Sequence, residues 1–283
     1  VRTVDEAVVQ GTHYDYILVC TKAFPSKIDT SQLIYPAVQD GTTIVLVQNG
    51  IGVEDRVIEA FPHNTVIPAV IYVTTEQVDS GVIENFLPMR MIVGCNQIMT
   101  LNSSERDIRL AQDQRTAGVF ADLLNRADVV TTLTDNIQGY RWLKTVWNAS
   151  FNTVSVVAGE CNTHELLDDP ALRELVLEMQ REIWAIGVAV TGQPLPIMEK
   201  SESPESIIKA TREGQPPYKP SMLQDYLNHY PMEHEVILKN PITSARQHQI
   251  PVPRCETVYA ILRMLSYKQE QADLKNQAAA NTS

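Results

Sequence analysis

Tyr16-Ile17-Leu18-Val19-Cys20-Thr21 is a continuous apolar, β-branched run entered through Tyr14-Asp15. A strand reads this way when both faces of its sheet are covered, as in parallel sheets. Thr42-Thr43-Ile44-Val45-Leu46-Val47 repeats the pattern after Asp40-Gly41, and Thr65 to Val73 supplies a third region of the same kind. The segments between them, Thr30 to Val38 and Gly52 to Phe61, space their apolar residues as helices do. Strand and helix alternate, which predicts a doubly wound parallel sheet.

Further along, Val82 to Phe86 and Met91 to Gly94 are short alternating segments that read as an antiparallel extension. Asn96 to Gln114 is polar and without clear period, the pattern of a long surface excursion. Thr116 to Arg126 is amphipathic and helical, Val129 to Leu133 is a short strand, and Asp135 or Asn136 can cap the helix that follows. Helices are then predicted over Pro170–Thr191, Ser203–Arg212, Met222–Asn228, Glu233–His248 and Cys255–Gln269, with Pro170 and Pro253 as start signals. Lys275–Ser283 has no apolar residue but alanine and reads as frayed. The expected organisation is an α/β part over 1–135 and an all-α part over 136–283.

A chain of 283 residues accommodates two domains of ordinary size. No run of about twenty apolar residues occurs, so no membrane span is expected. The formal net charge of −11 argues against a nucleic-acid partner but leaves room for a local basic pocket. The four cysteines are far apart and form no C-x-x-C pair, so neither a disulfide framework nor a zinc site is expected. Cys20, inside an apolar run, reads as a packed, reduced thiol. The histidines are scattered without metal-ligand spacing, and no metal is expected. No targeting segment is evident, which favours the cytoplasm. The chain opens on Val1 and reads as one whose beginning is missing.

The candidate site begins in Arg141-Trp142-Leu143-Lys144-Thr145-Val146-Trp147-Asn148-Ala149-Ser150-Phe151-Asn152. Lys144, Asn148 and Asn152 are four residues apart and stack along one line of a helix. Large apolar residues flank that line on both sides, the composition of a buried helix. A buried amine must find partners or shift its pKa. An ammonium and two carboxamides in such a place suit an internal polar ligand.

Ligands of doubly wound sheets collect beyond the carboxyl ends of the strands. Lys22 follows the first strand there, and Gln48-Asn49-Gly50-Ile51-Gly52 follows the second and is expected to open a helix. Singly these are weak signals, since a lysine after a strand is usually a solvated loop residue and Asn-Gly is a common turn. Lys219-Pro220-Ser221-Met222-Leu223-Gln224-Asp225 is a third cluster, with Glu233 and Glu235 beyond it. Ser221 can cap the helix beginning at Met222, and Glu233 can complement a helix dipole.

Together these segments resemble ketopantoate reductase (2-dehydropantoate 2-reductase). The resemblance rests on Val19-Cys20-Thr21-Lys22-Ala23, Val47-Gln48-Asn49-Gly50-Ile51-Gly52, and Trp142-Leu143-Lys144 with Asn148 and Asn152. Ser221-Met222-Leu223-Gln224-Asp225, Glu233-His234-Glu235 and Ile250-Pro251-Val252-Pro253 complete it, in family order across nearly the whole chain. The resemblance implies NADPH-dependent reduction of 2-dehydropantoate to pantoate, on the route to vitamin B5 and coenzyme A. It further implies a Rossmann domain, a helical C-terminal domain like that of 6-phosphogluconate dehydrogenase, and a site in the cleft between them. By the same match Lys144 is the general acid, Asn148 and Asn152 hold substrate, Ser221 binds its carboxylate, and Glu233 binds or orients substrate beside the lysine. Lys22, Asn49 and Gly50 would lie where cofactor meets substrate, Asn49 touching both.

The chain departs from the family in one respect. The G-x-G-x-x-G turn that cradles the pyrophosphate is not among these residues, nor is the basic residue that reads the NADP phosphate, so residues 1–135 are expected to be a partial dinucleotide-binding domain. Two other readings follow: a reductase of another small 2-oxo acid, and a non-catalytic binding protein that retains the fold. A homodimer is the assembly to test.

Overall fold

The computed structural model describes residues 2–8, 11–73, 75–79, 81–85, 89–95, 103–198, 201–214 and 216–280. The chain divides into two compact units, Val1–Tyr140 and Arg141–Ser283.

The first unit opens with α1 (Val4–Ala7), β1 (Tyr16–Val19), α2 (Thr30–Ile34, continued as a 3-10 turn over Tyr35–Ala37), β2 (Thr43–Leu46), α3 (Asp55–Ala60) and β3 (Val66–Tyr72). It continues with β4 (Thr75–Asp79), β5 (Val82–Asn85), β6 (Arg90–Val93), α4 (Ser103–Arg126) and β7 (Val130–Leu133). Five strands form one sheet in the order β1-β2-β3-β6-β7. β1, β2 and β3 are parallel neighbours, Val19 lying opposite Leu46 and Leu46 opposite Pro68.

The sheet is parallel-dominated rather than wholly parallel. β6 runs antiparallel to β3, and β7 returns parallel to β6. The connections decide this. Between β3 and β6 the chain makes only a hairpin, whereas α4 supplies the helix-length crossover that a parallel return requires. β6 is thus the antiparallel extension that its alternation suggested. Val82–Asn85 is not part of it: β5 pairs with β4 in a separate two-stranded sheet, and Phe86 lies outside the described residues.

All four residues of β2 are buried, as its unbroken apolar run requires. Val45, Ile67, Ala69, Met91 and Val93 of the sheet meet Ala117, Phe120 and Ala121 of α4 in one cluster. Tyr16 packs on Phe120 with ring centroids 5.3 Å apart. Side chains of this size each contribute ~1.5–3 kcal/mol when fully buried.

The expected surface excursion over Asn96–Gln114 is corrected from residue 103 onward, where the chain is already in α4; residues 96–102 lie outside the described residues. Polar anchors, not an apolar stripe, hold this half of the helix. Arg109 Nε donates to both oxygens of Asp113 (3.0 and 2.8 Å), while its guanidinium donates to Pro62 O and Asn64 O at 3.0 and 2.7 Å. Thr65 Oγ1 donates to the same carboxylate at 2.6 Å. A helix fastened through side-chain hydrogen bonds carries no hydrophobic period to read.

The helical elements that follow are α5 (Ile137–Trp147), a π-helical turn over Asn148–Asn152, α6 (Thr153–Val157), α7 (Thr163–Asp168), α8 (Pro170–Thr191), α9 (Pro204–Gly214) and α10 (Ser221–Leu227). A second π-helical turn over Glu235–Lys239, α11 (Asn240–Gln247) and α12 (Pro253–Ala280) complete the chain. Asn136 is the residue that caps α5: its Oδ1 accepts from Gly139 N at 3.0 Å. A Cβ on Gly139 would come within 2.6 Å of that amide, so a larger residue there would push the capping side chain aside. α8 matches its sequence signals at both ends. Asp169 Oδ1 accepts from Leu172 N at 2.8 Å, and Gly192 ends the helix with φ 68°.

Two helical expectations are corrected. The predicted Glu233–His248 helix is interrupted by the second π-turn, and Lys275–Ala280, expected to be frayed, belongs to α12; residues 281–283 lie outside the described residues. The start of α12 is held from far along the chain. Glu182 Oε1 and Oε2 accept from Arg254 N and Cys255 N at 3.1 and 3.0 Å. No helix among the described residues is long and apolar enough to cross a membrane.

Candidate active site

Trp142, Leu143 and Val146 of α5 and Phe151 beyond it are buried in the core of the helical unit. Lys144 lies among them and keeps only partial solvent access. Dense surrounding protein disfavours the ammonium, and desolvation is the largest influence on it. Its pKa falls from 10.5 to about 8, with the carboxylate of Glu233 opposing the fall. At pH 7 such an amine is still ~90% protonated, yet it gives up its proton far more readily than a surface lysine.

The line of Lys144, Asn148 and Asn152 does not lie on one regular helix. α5 ends at Trp147, and Asn148–Asn152 forms the π-turn. In an α-helix of ~3.6 residues per turn, eight residues rotate a side chain roughly 80° away from its start. The wider i→i+5 turn unwinds part of that drift and brings Asn152 back toward the line of Lys144. Hydroxyls satisfy carbonyls that the changed register leaves over. Ser150 Oγ donates to Val146 O at 2.9 Å, Thr153 Oγ1 to Ala149 O at 2.6 Å, and Ser155 Oγ to Asn152 O at 2.8 Å. The serines and threonines of this segment are therefore part of its local structure.

Asn148 and Asn152 are both buried. Asn152 Oδ1 faces Met222 N at 3.4 Å and Ser221 Oγ at 3.5 Å, the long end of hydrogen bonding. Its oxygen serves α10, and its NH2 is the end suited to a ligand carbonyl or carboxylate. Ser221 is not the N-cap expected from sequence. It is the first helical residue, Pro220 occupies the cap position, and the exposed hydroxyl turns toward Asn152 instead. Pro220 offers no side-chain acceptor, and Asn152 Oδ1 takes that part for Met222 N.

Glu233 is buried just before the second π-turn, and the two π-turns pack against each other. Beside them Trp147 is stacked between Phe151 and Tyr218, with centroids 4.9 and 5.8 Å away, and its Nε1 donates to Thr211 Oγ1 at 3.0 Å. One unit thus brings together an ammonium of lowered pKa, a carboxylate, two carboxamides, a hydroxyl and an aromatic wall. That set can bind an anionic carbonyl compound and deliver a proton to oxygen.

Lys22, Asn49 and Gly50 belong to the sheet unit. The β1–β2 register pairs Val19 with Leu46, so Lys22 and Asn49 follow their strands by equal steps along one carboxyl edge. Gln48 Nε2 donates to Thr21 O at 2.9 Å and ties the two strand ends together. Gly50 and Gly52 have φ of 93° and 74°, which lets the backbone approach a ligand without a Cβ in the way. They do not open a helix as expected, because α3 starts only at Asp55. Cys20 is exposed rather than packed: β1 ends at Val19, and the thiol falls beyond the pleat. Among the described residues no group of three or more His, Cys, Asp or Glu is placed to hold a metal ion.

Sequence reasoning missed both π-turns, the Trp147–Tyr218 stack and Gln180, whose Nε2 reaches Ser150 Oγ at 3.2 Å. The cluster of Thr145, Ser150, Thr153 and Ser155 inside an apolar helix is the signal that could have flagged the first π-turn. It also missed α7, although Asn162 and Glu165 form a capping box there.

The sequence pattern described as "Ketopantoate reductase PanE/ApbA" matches residues 1–97, and that described as "Ketopantoate reductase PanE/ApbA C terminal" matches 136–266. A 2-dehydropantoate 2-reductase of Nostoc sp. is 26% identical over 262 residues, covering 92% of this chain and 76% of the relative. The crystal structure of 2-dehydropantoate 2-reductase from Methylococcus capsulatus superposes with a TM-score of 0.73 at 33% identity, over 95% of this chain and 79% of that one. A ternary structure of D-mandelate dehydrogenase with NADH and anilino(oxo)acetate shares the fold, with a TM-score of 0.75 at 19% identity over 94% of this chain and 80% of that one. The matching patterns fall on the sheet edge and on the lysine–asparagine helix described above, and the chain belongs to the ketopantoate reductase family.

Proposed function

We propose that this protein is an NADPH-dependent 2-dehydropantoate 2-reductase, acting in the cytoplasm on the route to pantothenate and coenzyme A. The observation that carries the reading is Lys144: an amine brought to a pKa of about 8 by burial, opposed by the charge of Glu233, in line with two buried carboxamides. Family membership, and the 2-dehydropantoate 2-reductases among its relatives, support the substrate.

Cofactor fit is supported in part. Left-handed Gly50 and Gly52 open the backbone at the strand edge that carries Lys22 and Asn49, which suits the nicotinamide end. No glycine-rich pyrophosphate turn is found among these residues, so they hold at most that end. A bound nicotinamide would supply the hydride. The residues of this chain do the rest. Lys144 Nζ holds a proton beside the ketone oxygen, where negative charge collects as the carbon is reduced. Glu233 keeps that amine charged until transfer and orients the substrate. Asn148 and Asn152 donate to the substrate's oxygens without adding a competing charge, and the Ser221 hydroxyl meets its carboxylate. The test is turnover of 2-dehydropantoate with NADPH. Lys144→Ala should lower it ~10²–10⁴-fold with the fold intact, and near-normal turnover would remove Lys144 as the acid.

A second reading keeps the chemistry and changes the side chain of the 2-oxo acid. The fold shared with D-mandelate dehydrogenase, solved with NADH and anilino(oxo)acetate, supports it. A panel of 2-oxo acids separates the two. A preference of at least ~10-fold for an aromatic 2-oxo acid over 2-dehydropantoate, about 1.4 kcal/mol in transition-state binding, selects the second.

A further inference from the structure

Gln180 lies in the middle of α8 with none of its surface exposed. Its Nε2 donates to Ser150 Oγ at 3.2 Å, and the Ser150 hydroxyl is shared between Val146 O at 2.9 Å and Trp147 O at 3.1 Å. These contacts fall on the first π-turn, against which α8 packs. The other end of the amide is costly, for Gln180 Oε1 is buried without a hydrogen-bond partner. A methionine of similar volume would fill the same space and strand no oxygen, so stability does not explain an amide here.

The register of the turn explains it. A π-turn competes with the α-helical register, which would rotate Asn152 away from Lys144. A hydroxyl has one proton and can point it in several directions. With its lone pair engaged by Gln180, Ser150 directs that proton onto the carbonyls at the start of the turn. We infer that Gln180 is a positioning residue for the reductase reaction: through Ser150 it holds the π register that aims Asn148 and Asn152 at the substrate. This rests on the reading of Lys144, Asn148 and Asn152 as the substrate site. Gln180 itself touches neither substrate nor cofactor.

The test compares Gln180→Met, Ser150→Ala and the double variant of this chain. It reads steady-state kinetics with 2-dehydropantoate and NADPH across pH, the thermal midpoint, and amide hydrogen exchange over residues 148–152. Gln180→Met should raise KM ~5–20-fold and change kcat less than ~3-fold, as lost ground-state positioning does. The alkaline limb of the pH profile should stay in place, since Lys144 and Glu233 are untouched, and the thermal midpoint should hold or rise. The double variant should be no worse than the worse single one. Exchange should speed up over 148–152 and not along α8. The inference is overturned if Gln180→Met leaves KM and exchange unchanged, if the two KM losses multiply, or if KM rises only together with a fall in thermal midpoint. Should the unsubstituted chain bind NADPH yet reduce no 2-oxo acid, the proposed function fails on its own. Hydrogen exchange then decides the role of Gln180: acceleration confined to 148–152 supports it, and its lack overturns it.

Discussion

Replacing Glu233 by glutamine keeps the side chain's volume and one carbonyl acceptor while removing its charge. That charge holds the pKa of Lys144 up against desolvation, with the balance at about 8. The acid works only when protonated, so reduction should fade as pH rises through this value. In the unsubstituted protein the protonated fraction is ~99% at pH 6 and ~50% at pH 8, a kcat/KM ratio between the two pH values of ~2. An adjacent opposite charge commonly moves a titration by ~1–3 pH units, and ~1–2 units of that for Glu233→Gln would bring the midpoint from about 8 to ~6–7. The same ratio then becomes ~10–50, with little titration loss at pH 6 and a large one at pH 8. Any lost contact between Glu233 and substrate lowers both values alike and cancels in the ratio. The assay is kcat/KM for 2-dehydropantoate with saturating NADPH between pH 5.5 and 9. A ratio that stays near ~2 while overall activity drops would show that Glu233 contacts substrate but does not tune the amine, and the electrostatic argument would be wrong.

The two ends of the Asn152 amide separate stability from binding. Asn152→Ala strands Met222 N and should cost ~1–3 kcal/mol, seen as a thermal midpoint several degrees lower. Asn152→Asp keeps the acceptor for Met222 and should raise KM for an anionic substrate, but it also buries a carboxyl group, so midpoints are compared at a pH low enough to protonate it. Equal midpoints for the two variants there would show that the 3.4 Å contact carries no weight. The cysteines give an independent check on the fold. Burial raises Cys95 from 9.0 to about 12 and pushes Cys255 well above 9.0, whereas it raises the surface-accessible Cys20 by less. At pH 8 the thiolate fraction of Cys95 should be ~10³-fold below that of a free thiol. Alkylation of the native protein followed by peptide mapping should label Cys20 first, with Cys95 and Cys255 labelled only on unfolding. Early labelling of Cys95 would contradict the packing of β6 against α4.

The sequence alone determined the elements whose signals are local. An apolar β-branched run specifies a covered strand such as Thr43–Leu46, and Asp169-Pro170 with Gly192 brackets α8, because backbone sterics and capping act within a few residues. It also placed Lys144, Asn148, Asn152, Ser221 and Glu233 in one unit and Lys22, Asn49 and Gly50 at one sheet edge, through the order of their motifs. Tertiary structure decided the rest. The first half of α4 is helical because Arg109 and Asp113 bind loops more than forty residues away in sequence. The antiparallel β6 follows from a connection that holds the β4–β5 hairpin and no crossover helix. The π-turn that aligns the asparagines is braced by Gln180 from another helix, thirty residues on. Periodicity assumes one residue count per turn, so it cannot register a turn whose count is reset by a side chain arriving from elsewhere in the fold.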